Sequence, residues 1–359
     1  MTANYRVLLS AASAPSAFFA EVPFTSISYT ETLNETGSCS VELPLKTARP
    51  GVVEVLTESA LDVAKVLLWV ERDGVLLFGG IVWDVSGDVA SNSLLIDAAG
   101  FHSYTRRRSI LSTAQFAAVD QLTIARTLID NMEAEAGSLG LIGTAETTLS
   151  GVTRDRDYFH WDMKNYGQAI DQLASVQDGF DFRYDVAYSA GVPTVEFVTQ
   201  YPSLGRRINF ILDLGSNIEL LGFHRSGSAM ANNVVANGVG EGPNRKSRTA
   251  TDTGALTEYP LLDVVESFPD IKRKATLKTK ADYRLARGGR VDQYTVRLAP
   301  DRVPTLGSYT VGDIITLRGE YGYLSIDDEE FRITQISPSV GSEGEVVDMS
   351  LTNLEVFDT

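Results

Sequence analysis

The chain has 359 residues, a mass of 39.0 kDa and a formal net charge of −16, from 31 basic and 47 acidic side chains. This length predicts two to three domains, and a hydrophobic content of 43% is typical of a folded chain. The acidic balance argues against binding a nucleic-acid backbone as the main task. A single cysteine, Cys39, excludes an intrachain disulfide framework. No run of about 18 apolar residues occurs, so no membrane span is predicted.

The first part of the chain, residues 1–110, is predicted to form a β domain. Residues 26–43 alternate between apolar and polar side chains. Two apolar runs, 65–70 and 75–82, flank Arg72-Asp73-Gly74, which is typical of a hairpin turn. No helix-length segment separates these strands, which favours a barrel or sandwich over a parallel α/β sheet.

Residues 111–205 are predicted to form an α/β insertion. Apolar residues recur at helical spacing after Asp120, a suitable N-cap: Leu122, Ala125, Ile129 and Met132. A second helix is predicted to begin near Asp162 and to end at Gly179. The alternating residues 180–188 then predict a strand that pairs with 194–199.

Residues 206–359 are predicted to form a second β region with one helix. The stretch 238–254 is rich in Gly, Asn, Ser and Thr and is predicted to be an exposed loop. A helix is predicted at about 270–287, after Pro269, with five residues facing inward: Ile271, Ala275, Leu277, Ala281 and Leu285. Further strands are predicted around it: 207–212, 218–223, 233–237, 291–298, 313–318, 331–337 and 346–354.

The charge of the chain is strongly segregated around this helix. Eight basic residues and one acidic residue lie between Lys272 and Arg290, which gives a local net charge of +7 and leaves −23 for the rest of the chain. Either these side chains form a solvated face, or they contact the acidic body of a neighbouring subunit or another protein. The candidate contact residues are Lys272, Arg273, Lys274, Lys278, Lys280, Arg284 and Arg287.

The sequence shows no recognisable catalytic or metal-binding motif. It contains no Gly-x-Ser-x-Gly elbow and no HExxH pattern, and no residue is identified as a partner for His102, His160 or His224. The glycine run 238–242 is followed by a proline where a dinucleotide-binding fold would begin a helix. The acidic run 327–330 is expected at a solvated hairpin tip. We therefore predict no enzyme activity, no catalytic residue, no metal and no cofactor.

The chain resembles the tail hub (baseplate hub) proteins of long-tailed bacteriophages, in particular the minor tail proteins of siphophages that infect actinobacteria. The resemblance spans nearly the whole chain and depends on the order and spacing of modest motifs. The resembling strings are Phe24-Thr25-Ser26-Ile27, Leu33 to Ser38, Val70 to Gly74, Phe78 to Val82, Ala99 to Tyr104, Pro260 to Asp263 and Pro304 to Asp313.

The resemblance implies a mainly β, α+β fold with two tube-like β-barrel domains and an α/β insertion, assembled as a homotrimeric pseudo-sixfold ring. It implies a structural protein of the virion tail tip, assembled in the host cytoplasm, that connects a sixfold tail to a threefold fibre or spike and gives passage to DNA on ejection. The implied partners are other copies of the chain, the distal tail protein, the tape measure protein, and a central fibre or other minor tail proteins. Genomic DNA would pass without specific binding.

Two other functions stay open from the sequence. An enzyme that degrades cell-wall glycan would need two carboxylates across a cleft, and only 327–330 and the pair Asp155 and Asp157 are candidates. A glycan-binding module is suggested by the aromatic strings 158–161 and 321–323, although large aromatic rings more often pack in a core.

Overall fold

The computed structural model describes residues 3–45, 58–299, 302–342 and 344–354. The chain divides into two compact units: unit 1 comprises Met1–Phe210, Arg297–Asp313 and Thr334–Met349, and unit 2 comprises Ile211–Val296, Ile314–Ile333 and Ser350–Thr359. Strands hold 51% of the chain and helices 16%, so the fold is mainly β, as the sequence predicts. The three-part division at residues 110 and 205 remains a prediction.

The strands and helices follow one another in three groups. The first group is β1 (Tyr5–Ala11), β2 (Ala14–Val22), β3 (Ser26–Thr32), β4 (Ser38–Pro44), β5 (Val66–Arg72), β6 (Val75–Asp88), β7 (Ser93–Gly100) and α1 (His102–Thr105). The second is β8 (Ala114–Asp120), α2 (Gln121–Ala134), β9 (Ile142–Gly143), β10 (Thr153–Tyr158), α3 (Tyr166–Ala174), β11 (Asp181–Ser189) and β12 (Val192–Gln200). The third is β13 (Arg207–Asp213), β14 (Ile218–Ser226), β15 (Asn233–Asn237), β16 (Ser247–Thr251), β17 (Asp263–Ser267), α4 (Lys274–Ala286), β18 (Val291–Leu298), β19 (Ile314–Tyr321), β20 (Leu324–Gly341) and β21 (Gly344–Asn353).

Unit 1 is built on an antiparallel sheet with the strand order β3-β4-β7-β6-β5-β1-β2. Residues 335–340 of β20 pair with β3 at one side of this path. The predicted hairpin between β5 and β6 is present, and Asp73 (φ 50°) and Gly74 (φ 84°) both adopt the left-handed conformation that a tight hairpin turn requires. Among the described strands, no pairing joins the two ends of this order, so no closed barrel is seen.

Both faces of the unit 1 sheet are buried. Leu68 and Val70 of β5 face one core together with Cys39, whose thiol pKa is raised by burial. Leu67 and Trp69, on the opposite face, pack in a second core with α2, α3, β11 and β12. Because alternate residues of a strand point to opposite faces, an unbroken apolar run such as β5 is what a sheet covered on both sides requires.

The two helices of the α/β region differ in how well the sequence predicts them. Helix α2 begins where expected, since the Asp120 side chain accepts a hydrogen bond from the backbone N–H of Leu122 at 2.9 Å. Helix α3 is shorter than predicted, because Asn165 caps it at the backbone N–H of Gln168 and the chain from Asp162 to Asn165 is not α-helical. The strands 180–188 and 194–199 pair as predicted, as β11 and β12.

Unit 2 contains two strand arrangements. Parts of β14, β18, β21, β20 and β19 follow one another in that order, with β13 beside β19. A separate three-stranded sheet has the order β16-β15-β17. The prediction of a loop over 238–254 is wrong in part, because β16 lies within it and pairs antiparallel with β15. Only Ala250 of β16 is buried, so this strand shows no alternation of apolar residues.

Candidate functional site

Helix α4 and the sheet β16-β15-β17 form a small α/β layer pair, which we call the helix lobe. Val234 and Ala236 of β15 and Ala250 of β16 face Leu277 and Ala281 of α4. Three of these five side chains are alanines, so the helix can approach the sheet closely. The lobe therefore presents α4 with one narrow buried stripe, and the remaining faces of the helix carry the charged side chains.

Helix α4 begins later than the predicted 270–287 segment. Lys272 and Arg273 precede it in extended backbone, and Arg273 makes no side-chain capping bond. The backbone here is engaged elsewhere, since the carbonyl of Ile271 accepts from the N–H of Val239 and that of Lys272 accepts from the Lys246 ammonium. Ala275, expected to face inward, is exposed because it lies off the buried stripe of the helix.

Four of the seven candidate contact residues interact within the lobe. Lys278 forms an ion pair with Asp282 one turn later. Arg284 lies 3.5 Å from Glu266 and donates to the carbonyl of Ala229. Two cations lie over aromatic rings of the lobe, Lys280 at 5.9 Å from the Phe268 ring and Arg287 at 4.6 Å from that of Tyr283.

The other three candidate residues form what we call the basic patch: Lys272, Arg273 and Lys274. All three side chains are exposed, and no ion pair or side-chain hydrogen bond involves them in the described part of the chain. They lie at the N-terminal end of α4, where the helix dipole is positive, and no acidic residue occupies the first turn. The patch is therefore a local concentration of uncompensated positive charge.

A cavity of about 1110 Å³ opens at the opposite end of α4. Leu285, Ala286 and Gly288 at the end of the helix contribute to its wall. We call it the acidic cavity, because among the described residues its lining has six carboxylates and, of the basic side chains, Arg290 alone. The carboxylates are Asp252, Glu258, Asp282, Asp292, Glu329 and Glu330. The sequence does not predict this cavity, because its carboxylates come from five separate segments of the chain.

The carboxylate groups considered for glycan hydrolysis lie on two different strands, β20 and β10. The run 327–330 lies within β20 rather than at a hairpin tip, because the turn between β19 and β20 occurs at 322–323. A bulge opposite Arg318 places Asp328 at φ 48°. Asp155 accepts from the backbone N–H of Ala118, and Asp157 accepts from Gln115, so both support the pairing of β8 with β10.

Both ring nitrogens of His102 have hydrogen-bond partners. The sequence did not distinguish His102 from the other two histidines. The Nε2 of His102 lies 2.8 Å from Asp171 of α3, and its Nδ1 lies 3.2 Å from the Tyr184 hydroxyl of β11. The adjoining cavity measures about 60 Å³, far below the few hundred Å³ of a small-molecule site. The neighbouring Thr105 hydroxyl donates to the carbonyl of His102. The arrangement connects α1, α3 and β11 and is a structural network.

The residues of the two aromatic strings differ in burial. Tyr158 is buried, whereas Trp161 is 62% exposed. Tyr321 and Tyr323 are also exposed, at the turn between β19 and β20. Within the described residues no cluster of His, Cys, Asp and Glu suits a metal ion, and no helix there is long and apolar enough to cross a bilayer.

The fold is shared with solved phage tail proteins. No protein-family model matches the sequence, and no curated protein matches it. A 43 kDa tail protein of prophage MuSo2 from Shewanella oneidensis superposes with a TM-score of 0.67 over 99% of this chain and 100% of that one, at 13% identity. A tail protein from Neisseria meningitidis gives 0.61 at 14% identity, covering 99% and 98% of the two chains. Prophage tail protein gp18 of Listeria monocytogenes gives 0.58 at 12% identity, covering 97% and 94%. The chain therefore has the fold of these tail proteins over almost its full length.

Proposed function

We propose that the chain is a structural protein of a phage tail tip, a homotrimeric hub that continues the tail tube. The observation that carries this proposal is the agreement in fold with the 43 kDa tail protein over the whole of both chains. In this proposal each chain contributes two tube-like β-barrel domains, from residues 1–110 and 206–359, to a pseudo-sixfold ring. Residues 111–205 form the insertion on the outside.

The proposed position in the virion defines the partners. The ring lies between the distal tail protein and a central fibre or other minor tail proteins, contacts the tape measure protein, and is assembled in the host cytoplasm. Genomic DNA passes through it on ejection without specific binding, and acidic residues on the channel wall would repel DNA. The link to siphophages of actinobacteria is supported by the sequence resemblance alone. The similar structures above come from Shewanella, Neisseria and Listeria.

We also propose that copies of the chain contact each other through the basic patch and the acidic cavity. The two surfaces have opposite charge and lie at opposite ends of α4, about 20 Å apart for a helix of 13 residues. Complementary surfaces at different places on one subunit make a head-to-tail contact, which closes into a ring when the rotation permits. Such a contact would place carboxylates near the positive end of α4.

The mass in solution tests the hub proposal. Three chains of 39.0 kDa have a mass of 117 kDa, and we expect this value by light scattering together with rings that have a central hole in negative-stain images. A monomer that stays monomeric after addition of its distal tail protein, with no ring in any image, would overturn the proposal.

A charge reversal tests the contact between copies. The triple variant Lys272→Glu, Arg273→Glu and Lys274→Glu should dissociate the assembly, while α4 itself gains a favourable dipole interaction. A control with the same change of charge reverses three exposed cations of unit 1: Lys65, Arg206 and Arg302. Sedimentation should show dissociation of the first variant and an intact control. Equal behaviour of both would leave the hub proposal standing and remove the basic patch from the contact.

A further inference from the structure

Trp161 forms an exposed aromatic platform on unit 1. Its indole stacks on the Phe159 ring, with ring centroids 4.6 Å apart and planes within 8° of each other. The His160 ring lies 4.8 Å away, nearly perpendicular to the indole. Because Trp161 as a residue is nevertheless 62% exposed, much of a large flat surface is open to solvent. Trp69 is fully buried, so the exposure of Trp161 is not a general property of tryptophan in this chain.

Hydrogen bonds tie down the backbone around the platform. Thr113 bonds to the ring Nδ1 of His160 at 3.0 Å and accepts from its backbone N–H. The N–H of Asp162 donates to the carbonyl of Phe159, and that of Ile110 donates to the carbonyl of Lys164. A surface that is already ordered loses little conformational entropy when a ligand binds.

Polar groups surround the platform. His160 and Asp162 flank Trp161 in the chain, Thr113 bonds to His160, and all three are exposed and can exchange hydrogen bonds with a ligand. A hexopyranose ring combines an apolar face of C–H groups with hydroxyls around its edge, which matches a flat aromatic surface with polar side chains at its rim. A purely apolar protein contact would remove water from these three polar groups, and only Thr113 and His160 bond to each other.

Another exposed aromatic pair lacks this geometry. Phe223 and Tyr323 of unit 2 meet edge to face, with ring centroids 5.8 Å apart and planes at 75°. Tyr323 is more exposed than Trp161, at 77%, but a T-shaped pair does not offer a flat stack. Trp161 and Tyr323 are both exposed, so exposure does not identify the better ligand platform. The coplanar stack with Phe159 favours Trp161.

We propose that Trp161, stacked on Phe159, binds hexopyranose units of a glycan, with His160, Asp162 and Thr113 as hydrogen-bonding partners. This inference goes beyond the proposed hub and does not depend on it. The binding is to one or two sugar rings on an open surface, so we expect a weak affinity that gains strength when several copies of the chain engage one polysaccharide.

Binding of soluble hexasaccharides to the full chain tests the proposal. The probes are chitohexaose, cellohexaose and maltohexaose, and the readout is ¹⁹F NMR of the three tryptophans labelled with 5-fluorotryptophan. We expect at least one probe to shift the Trp161 signal alone and to bind Trp161→Ala about tenfold more weakly or worse. Trp161→Tyr, which keeps a ring, should restore part of the affinity, and Tyr323→Ala should bind like the unchanged chain.

Two outcomes would overturn the proposal. The first is the absence of any shift at Trp161 with all three probes, or equal binding by Trp161→Ala. The second is that Trp161→Ala binds the glycans as the unchanged chain does but no longer assembles. The platform would then be a contact between proteins. Thermal unfolding of Trp161→Ala should match that of the unchanged chain, since the side chain is mostly exposed, so a loss of binding would not reflect misfolding.

Discussion

The sheet of unit 1 and the helix lobe of unit 2 bury their side chains to different extents. The unit 1 sheet is covered on both faces, and its cores contain Trp69, Phe101 and other large side chains. In the described part of the chain, α4 covers one face of the lobe sheet through an alanine-rich stripe, whereas Val265 of the same sheet is 61% exposed. Buried apolar area thus stabilises unit 1, whereas the lobe has a small core and an uneven distribution of charge.

This difference separates two roles within one chain. Cores of large side chains fix the geometry of a sheet, because adding or removing even one methylene disturbs the packing of a close-packed interior. A lobe with a narrow core and uncompensated charge gains most from contact with another surface. We therefore expect mutations to act on stability in unit 1 and on local opening or assembly in the lobe.

The largest effect should come from Trp69→Ala. Trp69 is fully buried, donates from Nε1 to the Ser10 hydroxyl at 2.9 Å and packs against Phe101. Truncation should lower the free energy of unfolding by about 3–5 kcal/mol, measured by guanidinium denaturation. The control Trp161→Ala should change it by less than about 0.5 kcal/mol. A loss below about 1 kcal/mol for Trp69→Ala would show that the unit 1 core is not the main source of stability.

Leu277→Ala should have the next largest effect, confined to the lobe. Leu277 is fully buried between α4 and its sheet, so its truncation should cost about 2–4 kcal/mol locally. Hydrogen exchange should accelerate for the amides of α4 and β15 and stay unchanged for β5 and β6. Thr276→Ala, on the exposed side of α4, serves as the control. Equal acceleration in β5 would mean that the two regions open together.

A pH-dependent effect of smaller size is expected at Glu31 of unit 1. Burial, with a further contribution from the Asp185 carboxylate, raises the pKa of Glu31 from 4.5 to about 7. The folded chain then holds this proton more tightly than the unfolded chain, so stability falls as the pH rises from about 4.5 to about 7. Glu31→Gln should be about 1–2 kcal/mol more stable than the unchanged chain at pH 8 and similar to it at pH 5.

The comparison for Glu31 is an exposed carboxylate in unit 2. Glu320→Gln changes the same functional group on a solvent-facing side chain of β19, and its unfolding curve should follow that of the unchanged chain at both pH values. If Glu31→Gln were equally stable or less stable at pH 8, the carboxylate of Glu31 would have to be compensated in the folded state.

The smallest effect should come from Lys278→Ala on α4. Its ion pair with Asp282 is exposed, with side-chain exposures of 48% and 52%. Such a pair contributes about 0.5 kcal/mol or less, and alanine is a better helix former than lysine. Thermal unfolding at low and high salt should therefore differ little between the variant and the unchanged chain. A loss of more than about 1 kcal/mol would assign the lobe an electrostatic source of stability.

The sequence predicts those elements whose local signal agrees with their final environment. The β5–β6 hairpin combines a turn that tolerates positive φ with two apolar runs, and α2 combines a cap at Asp120 with a helical apolar period. The sequence does not predict β8, and it predicts a loop where β16 lies, since most residues of these strands are exposed or half-buried. A strand that buries few side chains leaves no period of two in the sequence.

The sequence predicts the basic residues of the candidate site but not the partners that these residues contact. The run of cations is visible in the sequence, whereas the partners of Arg284 and Lys280 come from Glu266 and Phe268, on or just after β17. Only the structure shows that Lys272, Arg273 and Lys274 are exposed and make no ion pair among the described residues. The acidic cavity could not be predicted, because its six carboxylates become neighbours through tertiary folding alone.

The composition of unit 1 has a consequence for the order of events during synthesis. Strand β3 pairs with residues 335–340 of β20, and unit 1 extends to Met349, about 140 residues after its first long segment ends at Phe210. At about 5–20 residues per second, the ribosome needs roughly 7 to 28 seconds to supply that stretch. During this interval β3 lacks that partner, and an unpaired edge is a site of wrong strand pairing. The nascent chain therefore completes its first unit only when translation has nearly finished.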